Sequence, residues 1–185
     1  MQYRIWDDMS LCTEADVQRM MSFVPKERCA YAQRYRHLFG QWTCLKAWEM
    51  VNQLAGIDVD WCIGEYGKPY VRGEIFFSVS HCRHGVAVVT DDEPVGIDIE
   101  SIRSVNDSLI CRTMNEYEQL LIRESNTPEL AFIRLWTQKE ALLKYRGTGI
   151  VDDLQSVLKE VKDVCIETKE CLDKGYVYTI VTHNK

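Results

Sequence analysis

The stretch WTQKEALLKYRGTGI, Trp136–Ile150, decides how the second half of the chain is read. Its apolar residues recur at helical spacing, and Gly147 and Gly149 end the pattern. At 100° per residue, Leu142, Leu135, Phe132 and Leu143 form one apolar arc, with Lys139 near its centre. Glu140 and Lys144 lie together at the far margin of that arc, beyond Trp136. Ordinary solvated charges avoid such a surface. The position of Lys139 predicts a buried carboxylate or carbonyl partner, or an alkyl stem packed beneath a head that reaches a cleft. Glu140 and Lys144 stand at i, i+4, which on most helices is a surface pair worth about 0.2–0.5 kcal/mol. On a helix this apolar they are candidates for a cleft, where buried charge demands a partner or a metal.

Upstream of that helix, Thr127 and Pro128 supply a cap and a first helical residue, and NEYEQLLIRE repeats the helical period. Downstream, VCIET and YVYTIVTH read as strands. The first half begins with a strand over residues 3–7, then a helix in TEADVQRMMSFV capped by Thr13. A second helical region runs from about Arg28 to Leu54, with Gly40 as its break and Trp42, Leu45, Trp48, Val51 and Leu54 available to pack. WCIGEYGKPYV, IFFSVSHC, GVAVVT and PVGIDIE follow as short strands rich in β-branched and aromatic residues. The fold class is α+β, helices followed by strands in each half. No residue-level repeat links the halves.

The chain of 185 residues is long enough to bury a large core, and 46% hydrophobic with 27% charged residues describes a soluble globular protein. No apolar run approaches the length of a membrane span, and MQYRIWDDMS lacks the features of a signal peptide, so the expected location is the cytoplasm, with no membrane partner. The eight cysteines are scattered without a CxxC pair, which predicts reduced thiols and no zinc site. A net charge of −6 argues against nucleic acid. Arg19, Lys26, Arg28, Arg34 and Arg36 nevertheless cluster against the single acid Glu27, as a surface for an anionic ligand or partner.

In PVGIDIE, strand alternation puts Asp98 and Glu100 on one face, two residues apart. Their like charges call for a cation, and Mg²⁺ commonly takes one or two carboxylates plus phosphate oxygens. From the stretch alone, a half-exposed strand with an acidic outer face is the better fit. Were Glu140 to join them, Lys144 one turn along would reach a phosphate held by the same metal. Ser80 and His81 end a strand and, as sequence neighbours, face opposite sides, so they are no catalytic dyad. Either can bind phosphate, although a histidine at a strand end is commonly structural. In EYGKPY, Gly67 permits close backbone approach and Lys68 offers a cation in what is otherwise an ordinary turn.

Together EYGKP, FxxSH, GIDIE and WTQKEALLK, spanning Gly64 to Gly149, resemble the 4′-phosphopantetheinyl transferase superfamily in its larger, surfactin-synthetase-activator-type group. The G-x-D-x-E strand is present as Gly96, Asp98 and Glu100, and the W-x-x-K-E-x-x-x-K helix as Trp136, Lys139, Glu140 and Lys144. The resemblance implies a pseudo-dimeric fold of two similar α+β lobes in one chain, residues 1–102 and 103–185, with the active site at their interface. It implies transfer of the 4′-phosphopantetheine arm of coenzyme A to a serine of an apo acyl or peptidyl carrier protein, with release of 3′,5′-ADP. Asp98, Glu100 and Glu140 would hold Mg²⁺, and Lys144 would contact phosphate. Ser80, His81 and Lys68 would bind coenzyme A, and Glu140 would help to deprotonate the acceptor serine. The catalytic set is thus Glu140, Asp98 and Lys144.

Lys26, Arg28 and Arg36 are the candidates for the 3′-phosphate, with Arg36 favoured by the His37, Leu38 and Gly40 that follow it. Ser78 stands where a relative commonly carries asparagine. The short tail after Gly149 implies a minimal second lobe, and two lobes in one chain imply a monomer. Two other readings fit parts of the pattern: a Mg²⁺-dependent phosphoester or pyrophosphate hydrolase using the same carboxylates, and a non-enzymatic module whose basic cluster docks an acidic partner.

Overall fold

Thr13 accepts a hydrogen bond from the Asp16 amide and starts helix α1, Glu14–Met21, whose Val17 and Met20 turn inward. The computed structural model describes residues 1–56, 61–63, 69–71, 75–149, 153–159 and 161–184. Helix α2 runs Lys26–Ala32 and α3 Leu38–Ala55. The expected break at Gly40 falls earlier, at residues 33–37. There the amides of Arg34 and Tyr35 turn back onto the carbonyls of Tyr31 and Ala32. Gly40 instead lies in the first turn of α3, under the Tyr35 ring, where a Cβ would stand 2.7 Å from Cδ1.

Strand β1, Gln2–Trp6, pairs antiparallel with β5, Gly85–Asp91, which pairs in turn with β4, Phe76–Cys82. The short pair β2, Trp61–Ile63, and β3, Pro69–Val71, forms a separate ribbon. The second sheet has the order β6, β8, β7: Val95–Ser101, Tyr176–His183 and Val164–Cys171, all antiparallel. Between β6 and β7 lie α4, Asp107–Thr113, α5, Glu116–Glu124, and α6, Pro128–Arg146. Gly147 ends α6 in the left-handed conformation at φ 71°, as its glycine predicts. Each half is therefore a strand, three helices and a hairpin whose second strand pairs back onto the first. The α+β class and two similar lobes are seen directly, in a topology that the residues themselves do not repeat. Strand β6, which precedes position 102, is hydrogen-bonded into the second sheet.

Alternation along the strands sets the layers. Val86 and Val88 of β5 face α3, packing with Trp42, Leu45 and Met50, whereas Ala87 and Val89 face Val95, Ile97 and Ile99 of β6. The outer face of β6 and β8 carries Val177 and Val181 toward α6. The order is helices, sheet, sheet, helices. The first lobe's charged residues at its core are paired. Glu49 accepts from Lys46 Nζ and from Arg19 Nη1, each at 2.7 Å, and Trp42 donates to Asp16 at 2.7 Å. Arg19, one of the clustered basic residues, is thereby committed within the lobe. Lys174 and Tyr176 on the β7–β8 side both donate to Asp7, at 2.7 and 2.8 Å, and tie the second lobe to β1. Among the described residues no helix is long and apolar enough to cross a membrane, and all eight cysteines are free thiols.

Candidate active site

Gly96 explains how β6 and α6 come together. A Cβ there would fall 2.0 Å from the carbonyl oxygen of Ala141 and 2.6 Å from the amide of Tyr145, both backbone atoms of α6. Only glycine lets the helix settle this close, and the residues flanking that contact in α6 are Glu140 and Lys144. Asp98, the next residue on the same face of β6, then meets the helix. Lys144 Nζ donates to Asp98 Oδ1 at 2.7 Å, and Ser80 Oγ donates to the same oxygen at 2.7 Å. The second oxygen, Oδ2, is buried without a hydrogen-bond partner.

β4 reaches β6 through its serines. Ser78 and Ser80 lie two apart and so share a face, directed at the edge of β6. Ser78 Oγ accepts from the Ile97 amide at 3.1 Å, satisfying an edge N–H that no strand pairs, while Ser80 holds Asp98. The seam between the two sheets is thus built from short hydroxyl side chains, which is why the carboxylates of one half stand against residues of the other.

The carboxylates bear the mark of this crowding. Burial pushes the Glu140 carboxyl above its ordinary value, and the charge of Asp98 adds to the effect, partly opposed by Lys144. Burial and then Asp98 raise Glu100 likewise, against a hydrogen bond of 3.2 Å from Trp136 Nε1. Trp136 stacks on Phe132 at 6.1 Å and also orients a carboxylate. The His81 imidazole is held below its ordinary value by its dense surroundings, with Lys144 contributing, although its side chain opens to solvent at the rim. A cavity of about 290 Å³ brings Ser80, His81 and Lys144 together with Arg28, Cys44 and Ala47.

Of the basic candidates, Arg28 reaches this cavity, its guanidinium held between the rings of Tyr31 and Trp48 at 4.6 Å from each. Arg36 lines a separate hollow with Glu14, Gln18 and Gln41. Lys26 is exposed at the start of α2. Lys68 lies outside the described residues. Lys139 is fully buried and donates to Glu118 Oε2 at 2.7 Å, to the Leu154 carbonyl at 2.8 Å and to the Thr113 carbonyl at 2.9 Å. Its partners are both kinds that its place in the apolar arc predicted. Glu118 also accepts from the Asn115 amide in the capping box of α5, so one carboxylate joins the start of α5 to the middle of α6.

Carboxylates, with hydroxyl oxygens nearby, are hard donors that suit Mg²⁺, and the unpartnered Asp98 Oδ2 is an oxygen such an ion would satisfy. Among the described residues no three His, Cys, Asp or Glu side chains converge to hold a metal as they stand. The donor set fits in chemistry, with Lys144 occupying the central carboxylate.

The family model of the 4′-phosphopantetheinyl transferase superfamily matches residues 94–180, from the start of β6 into β8. The 4′-phosphopantetheinyl transferase ffp of Bacillus subtilis is 30% identical over 192 residues, covering 94% of this chain and 85% of the relative. Sfp of Bacillus subtilis strain 168, another 4′-phosphopantetheinyl transferase, is 28% identical across 96% of this chain and 85% of its own length. A third, gsp of Aneurinibacillus migulanus, is 32% identical across 66% of this chain and 52% of its own length. The chain therefore belongs to the 4′-phosphopantetheinyl transferase superfamily. Within it the chain is of the surfactin-synthetase-activator type.

Proposed function

We propose that this enzyme transfers the 4′-phosphopantetheine arm of coenzyme A to a serine hydroxyl of an apo acyl or peptidyl carrier protein, releasing 3′,5′-ADP, with Mg²⁺ as its cofactor. The observation that carries this reading is the ion pair of Lys144 with Asp98, whose charge Glu140 also senses, beside a cavity lined by Lys144, Arg28, Ser80 and His81. The two lobes are proposed to meet at this seam, and the strand order supports placing β6 with the second. One chain then supplies the whole cleft, as a monomer does. Coenzyme A and apo carriers meet in the cytoplasm, which is the compartment this reading requires.

Asp98, Glu100 and Glu140 would hold Mg²⁺, which when bound supplies charge stabilisation to the pyrophosphate oxygens. Lys144, on a flexible stem at the cavity, can turn its ammonium to a phosphate oxygen and offset charge that develops as the bridging bond breaks. Arg28 is preorganised by its two aromatic neighbours to grip a further phosphate at the cavity wall. Ser80 and His81 line the same wall: His81 offers a ring N–H to anionic oxygens, and the Ser80 hydroxyl, which donates to Asp98, can turn to one when it gives up that contact. The acceptor serine oxygen forms the new P–O bond, the bond to the 3′,5′-ADP oxygen breaks, and the serine proton passes to Glu140. A carboxylate whose affinity for protons is raised by burial suits that last role, since a base works best with a pKa drawn toward the working pH.

Mass spectrometry of an apo carrier incubated with the enzyme, coenzyme A and Mg²⁺ tests the proposal. The expected result is a carrier heavier by one phosphopantetheine. Hydrolysed coenzyme A beside an unmodified carrier would overturn it in favour of a hydrolase.

A further inference from the structure

We propose that Lys144 is the internal counter-ion of Asp98 in the metal-free enzyme, and that its release to a phosphate is what opens the carboxylate to a divalent cation. The inference rests on the reading of Asp98, Glu100 and Glu140 as metal ligands, and it concerns what Lys144 does before the metal arrives. The Lys144 ammonium sits 2.7 Å from Asp98 Oδ1, in an ion pair whose aspartate side chain is 5% exposed and whose lysine is 28% exposed. Ser80 donates to the same oxygen. Oδ1 therefore already carries two donors, and the adjoining carboxylates Glu100 and Glu140 both sense the Asp98 charge.

A divalent cation bound at about 2.1 Å from Asp98 would stand within a few ångströms of the ammonium if Lys144 stayed. Like charges that close in a half-buried site repel strongly. Lys144 must move, and the structure gives it a route. Its stem is partly exposed, and the cavity it lines also holds Arg28, Ser80 and His81. The helix does not have to shift, because α6 is fixed on its other side by Lys139 and on this side by the fit over Gly96. An anion in the cavity draws the ammonium away from Asp98, and the metal takes the carboxylate, whose Oδ2 already lacks a donor, free of the ammonium's repulsion. Anion and metal then favour each other's binding, as linkage requires.

The test is metal binding, read without turnover. Mn²⁺, followed by electron paramagnetic resonance of the free ion, is titrated into wild type, Lys144→Met, Lys144→Arg and Asp98→Asn, each with and without coenzyme A. Without coenzyme A, Lys144→Met should bind Mn²⁺ about tenfold more tightly than wild type, a ratio equivalent to roughly 1.4 kcal/mol, while Lys144→Arg stays near wild type. Adding coenzyme A should tighten Mn²⁺ binding in wild type by more than in Lys144→Met. Equal or weaker Mn²⁺ binding by Lys144→Met would overturn the counter-ion role and leave the metal ligands standing. If neither wild type nor Lys144→Met binds more tightly than Asp98→Asn, the metal-site reading itself falls, and this inference with it. Circular dichroism confirms folding of each variant, and Lys144→Gln replaces the methionine variant should that one fail to fold.

Discussion

Lys139 and Lys144 leave the same helix five positions apart, on different sides. Lys139 points into the second lobe, is wholly enclosed, and donates to one carboxylate and two carbonyls. Lys144 points to the seam, is 28% exposed, and shares Asp98 with Ser80. A burial that satisfies every donor of an ammonium fixes it. A burial that leaves one side open keeps the charge available to a ligand. The helix thus uses one lysine to stay in place and, on the proposed reading, holds the other for a ligand.

The sharpest way to break this contrast is to remove each lysine in turn. Lys139→Met leaves Glu118 buried without its cation, and breaking such a pair from one side costs about 3–5 kcal/mol. Urea unfolding should show that loss. The double variant Lys139→Met/Glu118→Leu should regain part of it, less the capping bond that Glu118 makes to Asn115. Lys144→Met also takes the cation from a buried aspartate, but Ser80 still donates to Asp98 and the lysine side is open to solvent. It should therefore cost less than Lys139→Met in the same measurement, while abolishing tight coenzyme A binding by calorimetry. Equal stability losses for the two methionine variants would erase the distinction.

The next largest effect lies where α6 meets β6. Gly96→Ala drives a methyl into backbone atoms of Ala141 and Tyr145, which cannot rotate aside, so the helix must lift. Overpacking of this kind costs about 1–3 kcal/mol. The same substitution at Gly40 meets the side chain of Tyr35, down to its Cβ at 3.0 Å, but that residue sits on an exposed turn that can give way more easily than the backbone of α6. Thermal unfolding should rank Gly96→Ala below Gly40→Ala. Activity should fall further at Gly96 than stability alone explains, because Glu140 and Lys144 ride on the displaced helix.

Much of this was legible in the sequence, and what was not shares a cause. Local periodicity gave the strands and long helices, and the apolar arc of α6 pointed to the buried partner of Lys139. Helix α4 escaped notice because seven residues are too few to show a period. The break before α3 is set by Tyr35 packing over Gly40, and a glycine covered by a ring reads in sequence like a glycine that ends a helix. Arg28 and Arg36 differ in position only through what surrounds them: the rings of Tyr31 and Trp48 hold one over the cavity, and the other faces Glu14 and Gln18. The hydrogen bond from Trp136 to Glu100 spans 36 positions, and no local spacing reports it.

Ser78 offers a finer probe of the seam. Ser78→Ala leaves the buried Ile97 amide without an acceptor, at a cost of about 1–3 kcal/mol, and removes the bond next to Asp98. Ser78→Asn keeps a side-chain oxygen that can accept from the same amide, so it should retain more stability than the alanine variant in urea. If both variants lose the same amount, the hydroxyl does not hold the edge of β6.

The smallest effect contrasts two acidic groups, Glu140 and Glu49, by pH. Glu140 in the seam is raised above its ordinary value of 4.5 by burial and by Asp98, so the folded enzyme binds its proton more tightly than the unfolded chain. Its contribution to stability is fully present below the unfolded pKa and is lost as pH rises through the folded one. Glu49 in the first lobe behaves oppositely: burial pushes its carboxyl up, but Arg19 and Lys46 hold it below its ordinary value. Its contribution is present above the unfolded pKa and is lost as pH falls through the folded value. In the chelated enzyme, Glu140→Gln should match wild type near pH 4 and gain on it as pH rises toward 8. Glu49→Gln should lose ground over the same rise, because Arg19 and Lys46 are left without their carboxylate just where wild type has it ionised. Urea midpoints across that range read both slopes. Slopes of the same sign would mean that Asp98 and burial do not govern Glu140 as the seam geometry requires, and that its raised proton affinity, on which its proposed part as acceptor of the serine proton depends, is not a property of the folded site.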